Sequence, residues 1–171
     1  YSISNKERTT NLSLASSKIN NTVIAPGEEF SYNKIVGARS IEAGYKEAKV
    51  YENGQVVDGI GGGICQISST LYNTVMFANL EITERHNHQF ITSYIPAGRD
   101  ATVAYGSKDF KFKNNRSYPI KIKSSVNDGI VRISILGIKE DKEYDINFDL
   151  KTISTKKYST EYKDDNTLPI N

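Results

Sequence analysis

Apolar residues recur at helical spacing in two stretches of the chain. The first stretch runs from Asn5 to Asn20, and its apolar positions are Leu12, Ala15 and Ile19. The second stretch runs from Gln66 to Asn79, and its apolar positions are Ile67, Leu71, Val75 and Ala78. Apolar side chains three and four positions apart share one face of a helix, so both stretches are predicted to be helices that pack on a core.

Most of the remaining apolar pattern is typical of short extended segments. Before the second helix, residues 47–51 and 55–57 flank Asn53-Gly54, a pair that strongly indicates a hairpin turn. Other extended segments are predicted at 23–24, 80–84, 90–95, 102–105, 110–112, 120–122, 130–136 and 146–150. These elements predict an α+β fold in which one or two helices pack against a mainly antiparallel β-sheet.

The pattern also predicts how the chain is divided. Residues 1–138 carry the regular apolar spacing and are predicted to form one domain. Residues 139–171 are charged and weakly patterned, so we expect an extended linker or the start of a following module.

Composition excludes some classes of function. The 22 basic and 20 acidic side chains give a net charge of +2, which leaves no basic surface typical of nucleic-acid binding. No apolar run approaches the roughly 20 residues of a membrane-spanning helix, although an anchor outside this sequence stays open. The single cysteine excludes an internal disulfide, and it fits either a reducing cytosol or the cysteine-poor exported proteins of Gram-positive bacteria.

Cys65 and both histidines of the chain, His86 and His88, lie within one short stretch. The glycines of the run 61–63 precede the second predicted helix, so Cys65 is expected at a strand-to-helix junction. Partial positive charge at a helix N-terminus favours the thiolate, and glycines leave backbone amides available to an oxyanion. A cysteine at a helix start and a histidine on a following strand is the order found in papain-like thiol enzymes, here with a shorter spacing.

Each of these residues also has an alternative interpretation. Cys65 would be a small buried core residue if the glycines only mark a tight junction. Cys65, His86 and His88 would supply three zinc ligands, although no fourth ligand has a recognisable spacing. No Gly-Lys-Ser/Thr follows the glycines, so a phosphate-binding loop is excluded, and neither a metal nor a cofactor is predicted.

Three charged residues near the histidines are further candidates. Asp100, which follows the turn at 96–98, would orient a histidine, or would simply cap the turn before Thr102. Arg85 and Arg99 would hold a substrate carboxylate, or would be ordinary surface charges.

Several motifs together resemble the VanW family. The densest is Gly-Gly-Gly-Ile-Cys-Gln-Ile-Ser-Ser-Thr-Leu-Tyr-Asn at 61–73, and the others lie at 26–31, 44–45, 84–88 and 94–103. The resemblance covers residues from about 5 to 137. It implies a protein of Gram-positive bacteria that is exported or membrane-anchored, beside cell-wall modules. The family is named from a vancomycin-resistance gene cluster, and the resemblance implies a location in the cell envelope more strongly than any reaction.

These observations lead to one preferred function and two alternatives. The preferred function is action on peptidoglycan or wall peptides at the cell surface, as a cysteine-dependent hydrolase or transpeptidase. The residues predicted to carry out catalysis are Cys65 as nucleophile, His88 as base with His86 as second candidate, Gln66 with nearby backbone amides as oxyanion donors, and Asp100 as orienting group. The residues predicted to bind the substrate are Gly61, Gly62, Gly63, Arg85 and Arg99. The alternatives are a non-catalytic wall-binding or scaffolding domain and the zinc site, and the oligomeric state stays open.

Overall fold

The computed structural model describes residues 1–52, 55–89, 91–139 and 144–155. Within them the chain forms an α+β fold with three helices and eight strands, and every strand pair is antiparallel. The helices are α1 (Lys6–Ile19), α2 (Tyr32–Val36) and α3 (Ile64–Phe77). The strands are β1 (Val23–Ile24), β2 (Glu29–Ser31), β3 (Glu47–Glu52), β4 (Gln55–Ile60), β5 (Glu81–Glu84), β6 (Lys111–Lys113), β7 (Ile120–Asn127) and β8 (Ile130–Leu136). The predicted fold class is confirmed.

The described strands form three small sheets. One has the order β1-β7-β8, another has the order β2-β6-β5, and β3 pairs with β4 as a two-stranded hairpin. The Asn53-Gly54 turn lies outside the described residues, but Glu52 is the partner of Gln55, as the predicted hairpin requires. None of the described helices is long and apolar enough to cross a membrane.

Helix α1 begins at a polar cap and is held by its apolar face. The side chain of Asn5 accepts a hydrogen bond from the backbone N–H of Arg8 at 2.8 Å, which satisfies one of the donors left open at a helix start. The predicted face of Leu12, Ala15 and Ile19 is fully buried. It packs against α3 and against β7.

Helix α3 follows β4 after a short run of glycines. Gly63 precedes the helix with φ at 103°, a left-handed conformation that side chains other than glycine rarely adopt. The buried apolar positions Ile67, Leu71 and Val75 face α1 and β8, so the predicted amphipathic helix is confirmed. Cys65 therefore lies in the first turn of α3, at the predicted strand-to-helix junction.

A single core lies between the helices and the sheets. Helices α1 and α3 contact each other, and both contact the sheet that contains β7 and β8. At the other end of the core, Phe30 of β2 stacks on Phe112 of β6, with ring centroids 4.9 Å apart. The same cluster contains the fully buried Tyr32, Tyr45 and Phe110.

The structure corrects three predictions about secondary structure. The structure adds a helix to the predicted one or two, because the side chain of Ser31 caps α2 by accepting a hydrogen bond from the N–H of Lys34. Among the described residues of 85–103 there is no strand, and 102–105 contributes only the bridge between Ala104 and Lys108. Residues 146–150 are also not a strand. Phe90, within the predicted segment 90–95, lies outside the described residues.

The described part of the C-terminal stretch contacts the rest of the chain. Residues 144–155 contain no helix or strand. Phe148 nevertheless packs edge-on against Phe77, with ring centroids 5.0 Å apart, and the guanidinium of Arg99 lies over the ring of Phe148. The division at 138 into a domain and a linker or further module stays a prediction.

The fully buried Asn11 provides a test of how the core supports the glycine run. Its side-chain N–H group donates to the carbonyl oxygens of Lys46 and Gly62, at 2.9 and 3.0 Å, and its Oδ1 accepts from the N–H of Lys46 at 2.8 Å. Asn11→Ala removes all three bonds. The carbonyl of Lys46 keeps its bond from the N–H of Gly61, but the carbonyl of Gly62 and the N–H of Lys46 lose the partner that Asn11 provides. We expect the free energy of unfolding in urea to fall by about 3 kcal/mol.

Ser13→Ala is the matched control, because Ser13 lies on the exposed face of the same helix. That variant should change the free energy of unfolding by less than about 0.5 kcal/mol. Equal losses in the two variants would show that Asn11 does not support the glycine run.

Candidate functional site

Cys65 lies in the wall of a cavity with a volume of about 730 Å³. Cys65 is partly exposed, although its neighbours Ile64 and Ile67 in the first turn of α3 are buried in the core. Its sulfur lies 3.6 Å from Oγ1 of Thr102 and 3.6 Å from the carbonyl oxygen of Val103. The sulfur is therefore held by polar groups and can be reached from the cavity.

His88 forms part of the same cavity wall and is bonded to Asp100. Its Nδ1 lies 2.6 Å from Oδ2 of Asp100, and its backbone N–H donates to that oxygen, also at 2.6 Å. A carboxylate at Nδ1 favours the tautomer with the proton on that nitrogen, which leaves Nε2 available to the thiol. The hydroxyl of Tyr94 lies 3.4 Å from Nε2.

Asp100 is itself held by an arginine. Nη2 of Arg85 lies 2.9 Å from Oδ1 of Asp100, and Nε of Arg85 donates to the backbone carbonyl of Asp100 at 2.7 Å. The carboxylate therefore contacts the imidazole through one oxygen and a guanidinium through the other. Asp100 therefore connects His88 with Arg85, while Cys65 and His88 lie in the wall of the same cavity.

Buried polar side chains of α3 position the segment that carries Asp100. Ser68 donates to the carbonyl of Ala101 at 2.6 Å, and Ser69 accepts from the N–H of Ala101 at 2.9 Å. One turn later, Asn73 donates to the carbonyl of Arg99 at 2.7 Å. The segment is thus bonded to the same helix that carries Cys65, which sets the distance between the acidic group and the thiol.

Electrostatics at the site favour a charged sulfur. Burial raises the pKa of the Cys65 thiol, but hydrogen bonding and charge from His88 lead the opposing effects and hold the pKa below its ordinary value. Burial lowers the pKa of His88, but the hydrogen bonds and charges of Cys65 and Asp100 outweigh it and raise that pKa. The two opposite shifts favour a thiolate paired with an imidazolium.

The neighbouring groups have shifted pKa values for related reasons. Burial raises the pKa of Asp100, but the hydrogen bonds from His88 and the charge of Arg85 hold it below its usual range. Burial, together with the charge of Cys65, holds the pKa of Tyr94 well above its usual range. Asp100 is therefore ionised and Tyr94 is a neutral hydroxyl at neutral pH.

The structure brings together some of the predicted site residues. Gly61 and Gly63 line the cavity beside Cys65 and His88. Gly62 does not: a Cβ added there would lie 2.6 Å from the backbone of Ala48, so Gly62 permits the close packing of the run against β3. Both histidines lie in a loop after β5, which corrects the expectation of a strand.

The other predicted residues lie outside the cavity wall. Oε1 of Gln66 accepts from Nη2 of Arg8 at 3.0 Å. Arg85 is engaged with Asp100, and Arg99 donates to Asn73 at 2.6 Å. None of these three side chains lines the cavity, and neither does Asp100, which reaches it only through His88.

His86 belongs to a separate contact. Its Nε2 lies 3.0 Å from Oε1 of Glu84, and His86 does not line the cavity. Among the described residues, no three His, Cys, Asp or Glu side chains come together as metal ligands. The zinc alternative therefore lacks its ligand set, since His86 is directed to Glu84.

The cavity-wall residues that sequence reasoning missed include Arg8, Arg39, Tyr94 and Thr102. Tyr94 and Thr102 lie inside the motif at 94–103, so that motif could have identified them. Arg8 and Arg39 come from α1 and from the loop after α2, and no local pattern connects them with Cys65.

Comparison with known proteins identifies two relatives. The chain is 44% identical over 135 residues to the uncharacterized protein YoaR of Bacillus subtilis (strain 168), a match that covers 79% of this chain and 45% of that protein. It is 30% identical over 125 residues to the vancomycin B-type resistance protein VanW of Enterococcus faecalis (strain ATCC 700802 / V583), which covers 69% of this chain and 45% of that protein. The chain thus spans about half the length of the curated relatives it matches. No solved structure matches.

The family comparison agrees with the motifs. Residues 7–136 match the family described as VanW like protein. That range begins in α1 and ends with β8, and it includes the cavity together with Cys65, His88 and Asp100. The chain belongs to the VanW family.

Proposed function

We propose that this domain is a thiol-dependent acyl-transfer enzyme that acts on peptide bonds of peptidoglycan in the cell envelope of a Gram-positive bacterium. The observation that carries the proposal is that Cys65 and His88 line one cavity, with Asp100 bonded to the imidazole of His88. A core thiol would need neither a cavity nor an imidazole on the same wall. The lowered pKa of Cys65 also supports the proposal.

In the first step the Cys65 thiolate attacks the carbonyl carbon of the scissile amide. A carbon–sulfur bond forms and the carbonyl π electrons move to oxygen, which gives a tetrahedral oxyanion. When the carbonyl re-forms, the carbon–nitrogen bond breaks and the His88 imidazolium gives its proton to the leaving amine. The product is a thioester on Cys65.

Backbone N–H groups at the start of α3 are suited to bind that oxyanion. Within the described residues, the N–H groups of Gly63 and Cys65 donate to no backbone carbonyl, and both residues line the cavity. Donors fixed at a helix N-terminus stabilise negative charge that develops nearby. Of the predicted oxyanion donors, these backbone amides are the better candidates, because the side chain of Gln66 accepts a bond from Arg8 and does not line the cavity.

In the second step an acceptor attacks the thioester. An amine acceptor gives a new amide, whereas water gives a free carboxylate. His88 takes the proton of the acceptor, and the carbon–sulfur bond breaks to release the Cys65 thiolate. Asp100 stays ionised throughout and holds the imidazole by Nδ1, which stabilises its charged form.

The choice of substrate rests on family membership and on the size of the cavity. A relative bears the name vancomycin B-type resistance protein, and vancomycin acts on the bacterial wall, so a wall peptide is the substrate we infer. A cavity of about 730 Å³ is within the range of roughly 300–1,000 Å³ that small ligands occupy. An extracellular or envelope location follows from that substrate.

The direct test uses purified peptidoglycan stem peptides and intact-protein mass spectrometry. We expect an adduct on the wild-type protein that hydroxylamine removes, and new cross-linked or shortened peptides in the supernatant. Cys65→Ser should form no thioester. If the wild-type protein binds the peptides without any adduct or product, the domain is a wall-binding module and the proposed reaction is wrong.

His88 should control the pH at which Cys65 reacts. In the wild-type protein, alkylation by iodoacetamide should persist below the ordinary thiol pKa of about 8.5, because His88 lowers the pKa of Cys65. In His88→Ala burial acts without that opposition, so the midpoint of the rate–pH profile should move upward. At pH 7 we expect a rate at least about tenfold lower.

His86→Ala is the matched control, since His86 contacts Glu84 and does not line the cavity. Its rate–pH profile should coincide with that of the wild-type protein. An unchanged profile for His88→Ala would remove His88 from the mechanism.

Asp100→Asn tests how the carboxylate of Asp100 orients and charges the imidazole of His88. The amide accepts a weaker bond from Nδ1 of His88 and permits the wrong tautomer, so we expect thioester formation to slow by a factor of about 100 or more. Asp58→Asn is the control, because Asp58 is an exposed partner of Lys49. Equal rates for Asp100→Asn and the wild-type protein, measured by adduct formation over time, would contradict the role of Asp100.

A further inference from the structure

The charges on the cavity wall are of one sign. Four basic residues line the cavity, namely Arg8, Arg39, Lys49 and Lys108, and none of its described lining residues is an Asp or a Glu. The whole chain has a net charge of only +2, so this wall is far more positive than the average surface. Such a wall attracts an anion.

The two arginines lie against the glycine run that leads to Cys65. A Cβ added to Gly63 would lie 2.9 Å from Cγ and 3.1 Å from Nη1 of Arg8. A Cβ added to Gly61 would lie 3.1 Å from both Cβ and Cγ of Arg39. Both arginine side chains therefore pack against the glycine run and line the same cavity as Cys65, where a ligand bound beside the thiol would meet them.

Neither guanidinium is neutralised by a carboxylate of the described residues. Arg8 donates to the neutral side chain of Gln66 at 3.0 Å, and Arg39 donates to the neutral side chain of Asn33 at 2.7 Å. Nη2 of Arg39 is buried and has no hydrogen-bond partner in the described part of the chain. Partly buried charges without a counter-ion are costly, so their presence calls for an anion from outside.

The side chains around the arginines hold them in place. The guanidinium of Arg39 lies over the rings of Tyr32 and Tyr105, with centroids 5.7 and 5.9 Å away. Because the flat guanidinium is fixed between rings and an amide, it is ready to form paired hydrogen bonds with a carboxylate. Lys49, by contrast, pairs with the exposed Asp58 at 2.8 Å, so it is a weaker candidate.

We infer that Arg8 and Arg39 form a carboxylate-binding subsite, which selects substrates with a free carboxylate close to the carbonyl that Cys65 attacks. The inference rests on the proposed function, because it assigns the binding determinant of the same site. Arg8 and Arg39 are specificity residues and take no part in the bond-making steps. Arg8 and Arg39 thus take the carboxylate-binding role that the sequence predicted for Arg85 and Arg99. The guanidinium groups of Arg85 and Arg99 bond to Asp100 and Asn73 instead.

The test compares two alkylating reagents that differ in charge. Iodoacetate carries a carboxylate and iodoacetamide does not. The thiolate attacks the CH₂ carbon of either reagent, iodide leaves, and the sulfur keeps a carboxymethyl or a carbamoylmethyl group. We expect Arg8→Gln and Arg39→Gln each to slow the reaction of Cys65 with iodoacetate at least about fivefold, with little change for iodoacetamide. Arg8→Lys should keep part of the reactivity with iodoacetate that Arg8→Gln loses. In the wild-type protein, 0.5 M salt should reduce the rate with iodoacetate relative to the rate with iodoacetamide.

Arg132→Gln is the control for net charge, because Arg132 is exposed on β8 and lies outside the cavity. It should leave both rates unchanged. If the arginine variants change the two rates by the same factor, or change neither, the subsite does not exist even though Cys65 is reactive. If Cys65 reacts with neither reagent in the wild-type protein, the proposed function fails instead.

A peptide-binding experiment tests the carboxylate-binding subsite even if Cys65 reacts with neither reagent. In the Cys65→Ser protein, acetyl-Ala-Ala should perturb the backbone NMR signals of the cavity residues at lower concentration than acetyl-Ala-Ala-amide. Arg8→Gln and Arg39→Gln should abolish the difference between the two peptides. Equal binding of the two peptides to Cys65→Ser would overturn the inference whatever the reactivity of the thiol.

Discussion

The hydrogen bonds between α3 and the segment 99–101 are the constraint on which the site depends. Ser68, Ser69 and Asn73 are polar residues buried on a helix that is otherwise apolar on its inner face. Buried polar groups without partners are costly. The three side chains find their hydrogen-bond partners in the backbone of segment 99–101, and that segment, which has no strand partner, finds its own in them. This mutual requirement fixes Asp100 relative to Cys65 without any regular pairing of strands.

The same constraint determines the electrostatics. Because Asp100 is held close to α3, its two carboxylate oxygens meet His88 on one side and Arg85 on the other. The ionised carboxylate favours a protonated imidazole, and the imidazole favours an ionised sulfur. Charges thus alternate along Arg85, Asp100 and His88, and the pKa of the Cys65 thiol lies below its ordinary value. The hydrogen-bond partners of the sulfur in the described part of the chain include no lysine or arginine side chain.

The sequence predicts the local features well and the long-range contacts poorly. Apolar spacing locates α1 and α3, and the glycine run places Cys65 at a junction, because these depend on neighbours in the chain. The segment 90–105 was expected to be extended in two places, yet its described residues bond to helix side chains that no periodicity reveals. Arg8 and Arg39 were missed for the same reason, since their place in the cavity depends on how α1 and the loop after α2 pack.

The glycine run at 61–63 serves both the packing of the fold and the shape of the cavity. Gly62 has no room for a side chain because the backbone of β3 lies against it, and the carbonyl of Gly62 accepts a bond from the buried Asn11. Gly61 and Gly63 instead make room for arginine side chains on the cavity side. Glycines that only ended a strand would not need to leave space for these arginine side chains. Gly61 and Gly63 also have left-handed φ angles of 81° and 103°, which favour glycine. The fold therefore favours glycine at all three positions, and the close approach of an arginine side chain is an additional cause at Gly61 and Gly63.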